Sequence, residues 1–313
     1  ENERRPQLEL STMPHVGSLN SWLKQRAIPS FVAFSQDIKL AHTVFALPFA
    51  AAALLILPTA ELTMTTAVLL LVCMIAARSF AMGFNRLADA TIDGQNARTA
   101  RRAIPTGRLS RREAAYWLVF FGGLFCLAAA AINPLAGYLS LPLLGVLALY
   151  SVQKHLGWMC HWYLGFCLGL APVGVNVALT GNIEIPIIIL AVAVTFWTGG
   201  FDVIYATQDV SFDRNQGLKS APVRFGVRRS IYLSRFSFGM MVLALTALGW
   251  WQSYGLVYFA GVVMIAAVLF WEQYLVRDLV THGQTNRMTA AFFNANASVS
   301  LLFFLLLALE VSL

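Results

Sequence analysis

The chain has 313 residues, 58% of them hydrophobic and only 12% charged, against roughly 45–50% and about 25% in an ordinary soluble domain. So little charge, with a mean hydropathy of +0.67, excludes a soluble enzyme, a disordered chain and a nucleic-acid binder, and predicts an all-α polytopic membrane protein. The net charge of +7 then bears on orientation rather than on nucleic acid.

Residues 1–36 predict an N-terminal cytoplasmic or interfacial segment. Val16, Leu19, Trp22 and Leu23 beside Lys24 and Arg26 fit either a short helix on the membrane surface or an unstructured tail. The first apolar run opens near residue 40 and continues as a span, so it reads as an anchor and not as a secretory leader. The chain starts at Glu1, which fits a processed or trimmed start. A bilayer-crossing helix needs about 20 mostly apolar residues. That length predicts about nine spans, at 40–57, 63–84, 113–132, 134–151, 161–180, 185–205, 231–250, 254–275 and 290–311. The runs are too long and too uniformly apolar for barrel strands.

All Lys and Arg except Arg78 lie in the N-terminal segment or around the loops after the second, fourth (Lys154 alone), sixth and eighth spans, and none lies in the connections after the first, third, fifth and seventh. The positive-inside bias predicts a cytoplasmic N-terminus, cytoplasmic even loops and an outer C-terminus. Cys73, Cys126, Cys160 and Cys167 lie in or at the ends of spans without metal-ligand spacing, and read as packing residues. Gly165-x-x-x-Gly169, followed by Pro172 and Gly174, predicts either close helix packing or a kinked wall. His155 and His161 read as interfacial residues, and Trp22, Trp158, Trp162, Trp250 and Trp251 fit an aromatic belt.

Two cytoplasmic segments carry acidic stripes. Asp89 and Asp93, and again Asp209 and Asp213, recur at i and i+4; helical spacing puts each pair on one face. Asn85 extends the first stripe back by a turn and Tyr205 the second. Arg78 lies two turns before Asn85 on the same face, deeper in the membrane. An arginine there costs about 2.5–3.5 kcal/mol on insertion scales. It either pairs internally or faces a polar cavity as the receptor for an anion. Two repelling carboxylate pairs at one membrane face call for a hard cation. Mg²⁺ takes one or two carboxylates and completes its shell with water and phosphate oxygens. Arg98, Arg101, Arg102, Lys154 and Lys219 nearby suit a diphosphate.

The pattern Asn85-Arg-x-x-Asp89-x-x-x-Asp93, followed by Arg98-Thr99 and Pro105-x-Gly107, resembles the first signature of the UbiA superfamily of intramembrane prenyltransferases. Tyr205-Ala-x-x-Asp209-x-x-x-Asp213, with Gly217, Lys219-Ser220-x-Pro222 and Gly226, resembles the second, and Tyr150-x-x-x-Lys154 the basic motif between them. The resemblance covers the chain from about residue 37. Within the superfamily, Arg98-Thr-x-x-Arg102-x-x-Pro105 and Lys39-x-x-His42-Thr43 are most similar to the 4-hydroxybenzoate polyprenyltransferase branch. The segments 42–48 and 201–226 are also similar to relatives that prenylate a dihydroxynaphthoate for menaquinone.

The resemblance implies one transmembrane domain over 37–313, with motif loops at 85–112 and 206–230. Its helices surround a central cavity open to the cytoplasmic side and the lipid of a bacterial cytoplasmic membrane. It implies Mg²⁺-dependent transfer of a polyprenyl group from polyprenyl diphosphate to an aromatic hydroxy acid in quinone biosynthesis. Asn85, Asp89, Asp93, Asp209 and Asp213 would hold two Mg²⁺ ions, the four aspartates being the catalytic set. Arg98, Arg102, Tyr150, Lys154 and Lys219 would grip the diphosphate. Arg78, with Lys39 and His42, would receive the aromatic carboxylate. Asp202 departs from the pattern, since some members carry Asn there; it either adds a metal ligand or only a hydrogen bond.

Two rival classes remain at this level. Intramembrane ionisable residues also mark ion- or proton-coupled transporters. Against this, the carboxylates cluster at cytoplasmic helix ends, the outer connections hold only Glu61 and Glu184, and no inverted repeat is evident. A non-catalytic binding or assembly factor would not need both carboxylate stripes.

Overall fold

The protein is described here by a computed structural model covering residues 27–38, 47–57, 62–281 and 285–313, with side chains described except at 277–295. Lys39 and His42, the weaker candidates for the aromatic pocket, lie outside the described residues, as does the tail through Arg26. The regular elements of the described residues are all helices, with no strand among them.

The helices are α1 (Ile28–Asp37), α2 (Leu47–Ile56), α3 (Met64–Asp93), α4 (Arg111–Ile132), α5 (Pro134–Leu156), α6 (Cys160–Thr180) and α7 (Ile185–Tyr205). A 3₁₀ turn (Ala206–Asp209) leads into α8 (Val210–Asn215), α9 (Ala221–Phe225), α10 (Val227–Trp251), α11 (Leu256–Thr281) and α12 (Thr285–Ser312). Among the described residues seven helices are long and apolar enough to cross a membrane. The first and last expected spans coincide with shorter described apolar helices, Leu47–Ile56 and Asn296–Ser312, so seven of the nine are met.

Short polar residues set the helix ends. Thr63 caps α3 by accepting from the Thr66 N–H at 3.1 Å. Ser110 and Glu113 form a reciprocal capping box on α4. Asn133 caps α5, with Pro134 in its first turn, and its amide also donates to the Val177 and Ala178 carbonyls of α6. Gly181 ends α6 with φ at 69°, a left-handed position that glycine takes without strain.

The side chains sort into two cores. One, built on α2, α6, α7, α10, α11 and α12, surrounds the buried Trp197. The other, built on α1, α3, α4, α5 and α6, includes Phe34 stacked on Phe121 with ring centroids 5.7 Å apart. The closest seam joins α6 to α7. A Cβ on Gly165 would lie 2.1 Å from the Thr195 carbonyl oxygen, and one on Gly169 would lie 2.6 Å from that of Ala191. Close packing thus accounts for the Gly165-x-x-x-Gly169 motif. The four cysteines are free.

Candidate active site

The first motif is not a loop over its whole length. α3 runs 30 residues, about 45 Å at 1.5 Å per residue, well beyond the expected span of 63–84. Asn85, Asp89 and Asp93 therefore ride on its last turns, and the chain turns only from Gly94. The Asn85 amide donates to Asp89 Oδ2 at 3.0 Å, as residues four apart on one helix face allow. Lys154 Nζ, from the end of α5, donates to the same oxygen at 2.6 Å. Arg102 Nη1 donates to Asp93 Oδ2 at 2.5 Å. Both carboxylates are buried, at 4% and 6% exposure, where a charge without a partner would be costly.

The second motif departs from the expected single helix face. α7 stops at Tyr205, a 3₁₀ turn carries Asp209, and Asp213 sits in the six-residue α8. Gly217 and Gly226, at φ of 68° and 78°, then turn the chain on either side of α9. Arg98 reaches across from the first loop. Its Nε and Nη2 donate to the two oxygens of Asp209 at 3.2 and 2.5 Å, and its Nη1 donates to the Tyr205 hydroxyl at 3.1 Å. Burial alone would lower the Arg98 pKa, but the Asp209 hydrogen bond and the nearby negative charges outweigh it and raise the pKa. Gln216 donates to Gln95 at 2.7 Å, and the Lys219 N–H to the Lys154 carbonyl at 2.7 Å. The two motifs, more than 100 residues apart in sequence, thus meet at one end of the bundle.

The other expected residues distribute as follows. Tyr150 lies one turn before Lys154 on α5, within electrostatic reach of Asp89 and Asp202. Asp213 lies within reach of Asp209, Lys154 and His161. The Lys219 side chain is exposed and forms no ion pair among the described residues. Arg78 is half-buried on α3, and its buried Nε has no hydrogen-bond partner among the described residues.

Three residues gain roles that sequence reasoning missed. Arg86 donates from Nη1 to Asn85 Oδ1 at 3.0 Å and from Nε to the Asp37 carbonyl at 3.3 Å. Asp37 in turn accepts the Ala103 N–H at 3.0 Å, tying α1 to the first motif. His161 is not interfacial: it is 3% exposed and lies 2.8 Å from Asp202. Trp158 and Trp162 pack inward beside it, on Phe225 and Ser237 respectively.

The donors of the two stripes are all oxygens, and among the described residues no three acidic, histidine or cysteine side chains converge as a ready-made metal cage. That set fits Mg²⁺, which takes few protein carboxylates and shares substrate phosphates. Arg98, Arg102 and Lys154 beside it supply fixed positive charge for a phosphorylated ligand.

The UbiA prenyltransferase family matches residues 46–308. A 4-hydroxybenzoate octaprenyltransferase of Nitrosococcus oceani is 30% identical over 233 residues, covering 72% of this chain and 78% of its own. One of Tolumonas auensis is 29% identical over 222 residues, covering 70% and 75%. Among solved structures, an apo UbiA homolog from Aeropyrum pernix K1 shares 28% identity at a TM-score of 0.76, over 87% of this chain and 98% of that one. A UbiA homolog from Archaeoglobus fulgidus bound to GPP and Mg²⁺ shares the fold at a TM-score of 0.63 and 21% identity, over 86% and 99%. The chain belongs to the UbiA prenyltransferase family.

Proposed function

We propose that this membrane enzyme transfers a polyprenyl group from polyprenyl diphosphate to the ring of 4-hydroxybenzoate, releasing diphosphate, in quinone biosynthesis. The observation that carries the reading is Arg98 forked onto Asp209 while Lys154 holds Asp89: carboxylates and cations of both motifs share one site. The names of the curated relatives support the acceptor.

Asn85, Asp89, Asp93, Asp209 and Asp213 are the residues that hold Mg²⁺. When bound, it supplies Lewis-acid neutralisation of charge on the leaving diphosphate. The cations bind the diphosphate without abandoning their carboxylates. Arg98 has five N–H donors and uses three on Asp209 and Tyr205. Lys154 has three and uses one. Arg102, Tyr150 and Lys219 complete the set. Positive charge fixed at the leaving group lets the allylic C1–O bond ionise, and the apolar helix walls keep water from the cation. The Arg78 guanidinium, with its free Nε, receives the aromatic carboxylate. The phenol activates its ortho carbon, which attacks C1, and a carboxylate of the stripes takes the ring proton. N-terminus and active-site loops face the cytoplasm.

The test is to incubate purified protein with Mg²⁺, labelled polyprenyl diphosphate, and 4-hydroxybenzoate or a dihydroxynaphthoate in parallel. Product from 4-hydroxybenzoate alone, lost in Asp89→Asn, is the expected result. Product from the naphthoate alone reassigns the acceptor. Full turnover in Asp89→Asn, or no product from either, overturns the reading.

A further inference from the structure

His161 makes two hydrogen bonds from within the bundle, one with each ring nitrogen. Nδ1 lies 2.8 Å from Asp202 Oδ2, and Nε2 lies 3.1 Å from the Ala221 backbone nitrogen. A backbone N–H only donates, so Nε2 is the acceptor and Nδ1 carries the proton that goes to Asp202. The geometry therefore sets the tautomer.

Both partners belong to the second motif and flank its carboxylates. Asp202 is about two helical turns before Asp209, and Ala221 follows Asp213 by eight residues. Between them the helix is interrupted by the 3₁₀ turn, by the six-residue α8 and by Gly217. No continuous helical ladder holds this stretch in place. At its far end, α9 begins with unsatisfied N–H groups, and Ser220 at its N-cap makes no side-chain cap. His161, from 60 residues upstream, supplies that acceptor instead. The same first turn of α6 anchors the exit by packing: Trp162 donates to Ser237 at 3.0 Å, and Trp158 just before it meets Phe225 edge-on at 5.1 Å.

We infer that His161 is a positioning residue that clamps the second motif at both ends, holding Asp209 and Asp213 in register with Arg98 and Lys154. The inference rests on the prenyl-transfer reading. Its expected signature is selective, because the clamped segment carries Asp209, Asp213 and Lys219, which face the diphosphate in the proposed reaction. Arg78, the acceptor's side in that reaction, sits deeper on α3, and its buried Nε bonds to no group of that segment among the described residues.

Three variants separate the two bonds. His161→Gln carries an amide oxygen to the place of Nε2 and keeps the Ala221 bond. His161→Asn carries an amide N–H to the place of Nδ1 and keeps the Asp202 bond. His161→Phe keeps neither. Hydrogen exchange is measured on the peptide containing Ala221 in detergent without substrate, and KM is measured for each substrate. Exchange at Ala221 should accelerate in the Phe and Asn variants and stay at the wild-type rate in Gln. In the Phe variant, KM for the prenyl diphosphate should rise about 10–100-fold, the usual cost of losing a partner that orients ligating groups. KM for the aromatic acid should stay within about twofold, and the Gln and Asn variants should each recover part of the loss. Wild-type exchange in His161→Phe overturns the clamp, as do equal rises of both KM values in the Gln and Asn variants. If His161→Phe does not fold, the Gln and Asn pair decides. If wild-type protein yields no product from any acceptor, the proposed reaction fails while the exchange pattern still decides the clamp.

Discussion

At the scale of single residues, Asp89, Asp93 and Asp209 each hold a cation, Lys154, Arg102 and Arg98 respectively. Arg98 matters most, because its planar fork engages both oxygens of Asp209 and the Tyr205 hydroxyl at once. A lysine keeps the charge but not the fork. Arg98→Lys should raise KM for the prenyl diphosphate roughly tenfold, about 1.4 kcal/mol, and leave KM for the aromatic acceptor unchanged; steady-state kinetics with each substrate varied in turn checks it. The carboxylates were legible in the sequence because charge is scarce in this chain, so a pair at i and i+4 stands out. Asp37, Arg86 and His161 were not. Their partners lie between 41 and 66 residues away where they cross elements, and no local spacing announces such a contact.

Among elements, the apolar runs located seven span helices well, but helix ends beyond the apolar run were misjudged. Period and hydropathy follow the bilayer, while α3 continues past it to carry the first motif to Asp93. The second motif shows the opposite error: i, i+4 spacing implied one helix where the structure has a 3₁₀ turn and a short helix. The α6–α7 seam makes a sharp case for packing. Gly165→Ala drives a Cβ into the Thr195 carbonyl, and overpacking costs about 1–3 kcal/mol even against side chains that yield. Gly174 lies on the same helix, and a Cβ there meets nothing within 4 Å. Thermal unfolding in detergent should show a clearly lowered Tm for Gly165→Ala and an unchanged or slightly raised Tm for Gly174→Ala, since alanine favours helix over glycine.

Across the whole molecule, two apolar cores share α6, and the site lies at the end of the bundle where α3, α5 and α7 finish. The Lys and Arg bias of the loops at that end predicts that it faces the cytoplasm. An impermeant maleimide on intact cells should therefore modify Asn182→Cys directly, and Arg101→Cys only after the membrane is opened. Both positions are exposed, so the reverse pattern would invert the topology.

The ion pairs also differ in how soon each partner becomes available as the chain is made. Asp93 finds Arg102 within nine residues, Asp89 waits 65 residues for Lys154, and Arg98 waits 111 residues for Asp209. A chain leaving the ribosome therefore delivers the first motif to the membrane face with Arg98 unmatched, and keeps it so until α7 has been inserted and its 3₁₀ turn laid down. The contact that joins the two motifs becomes possible only then, with Asp213 and Lys219 still to follow in the chain.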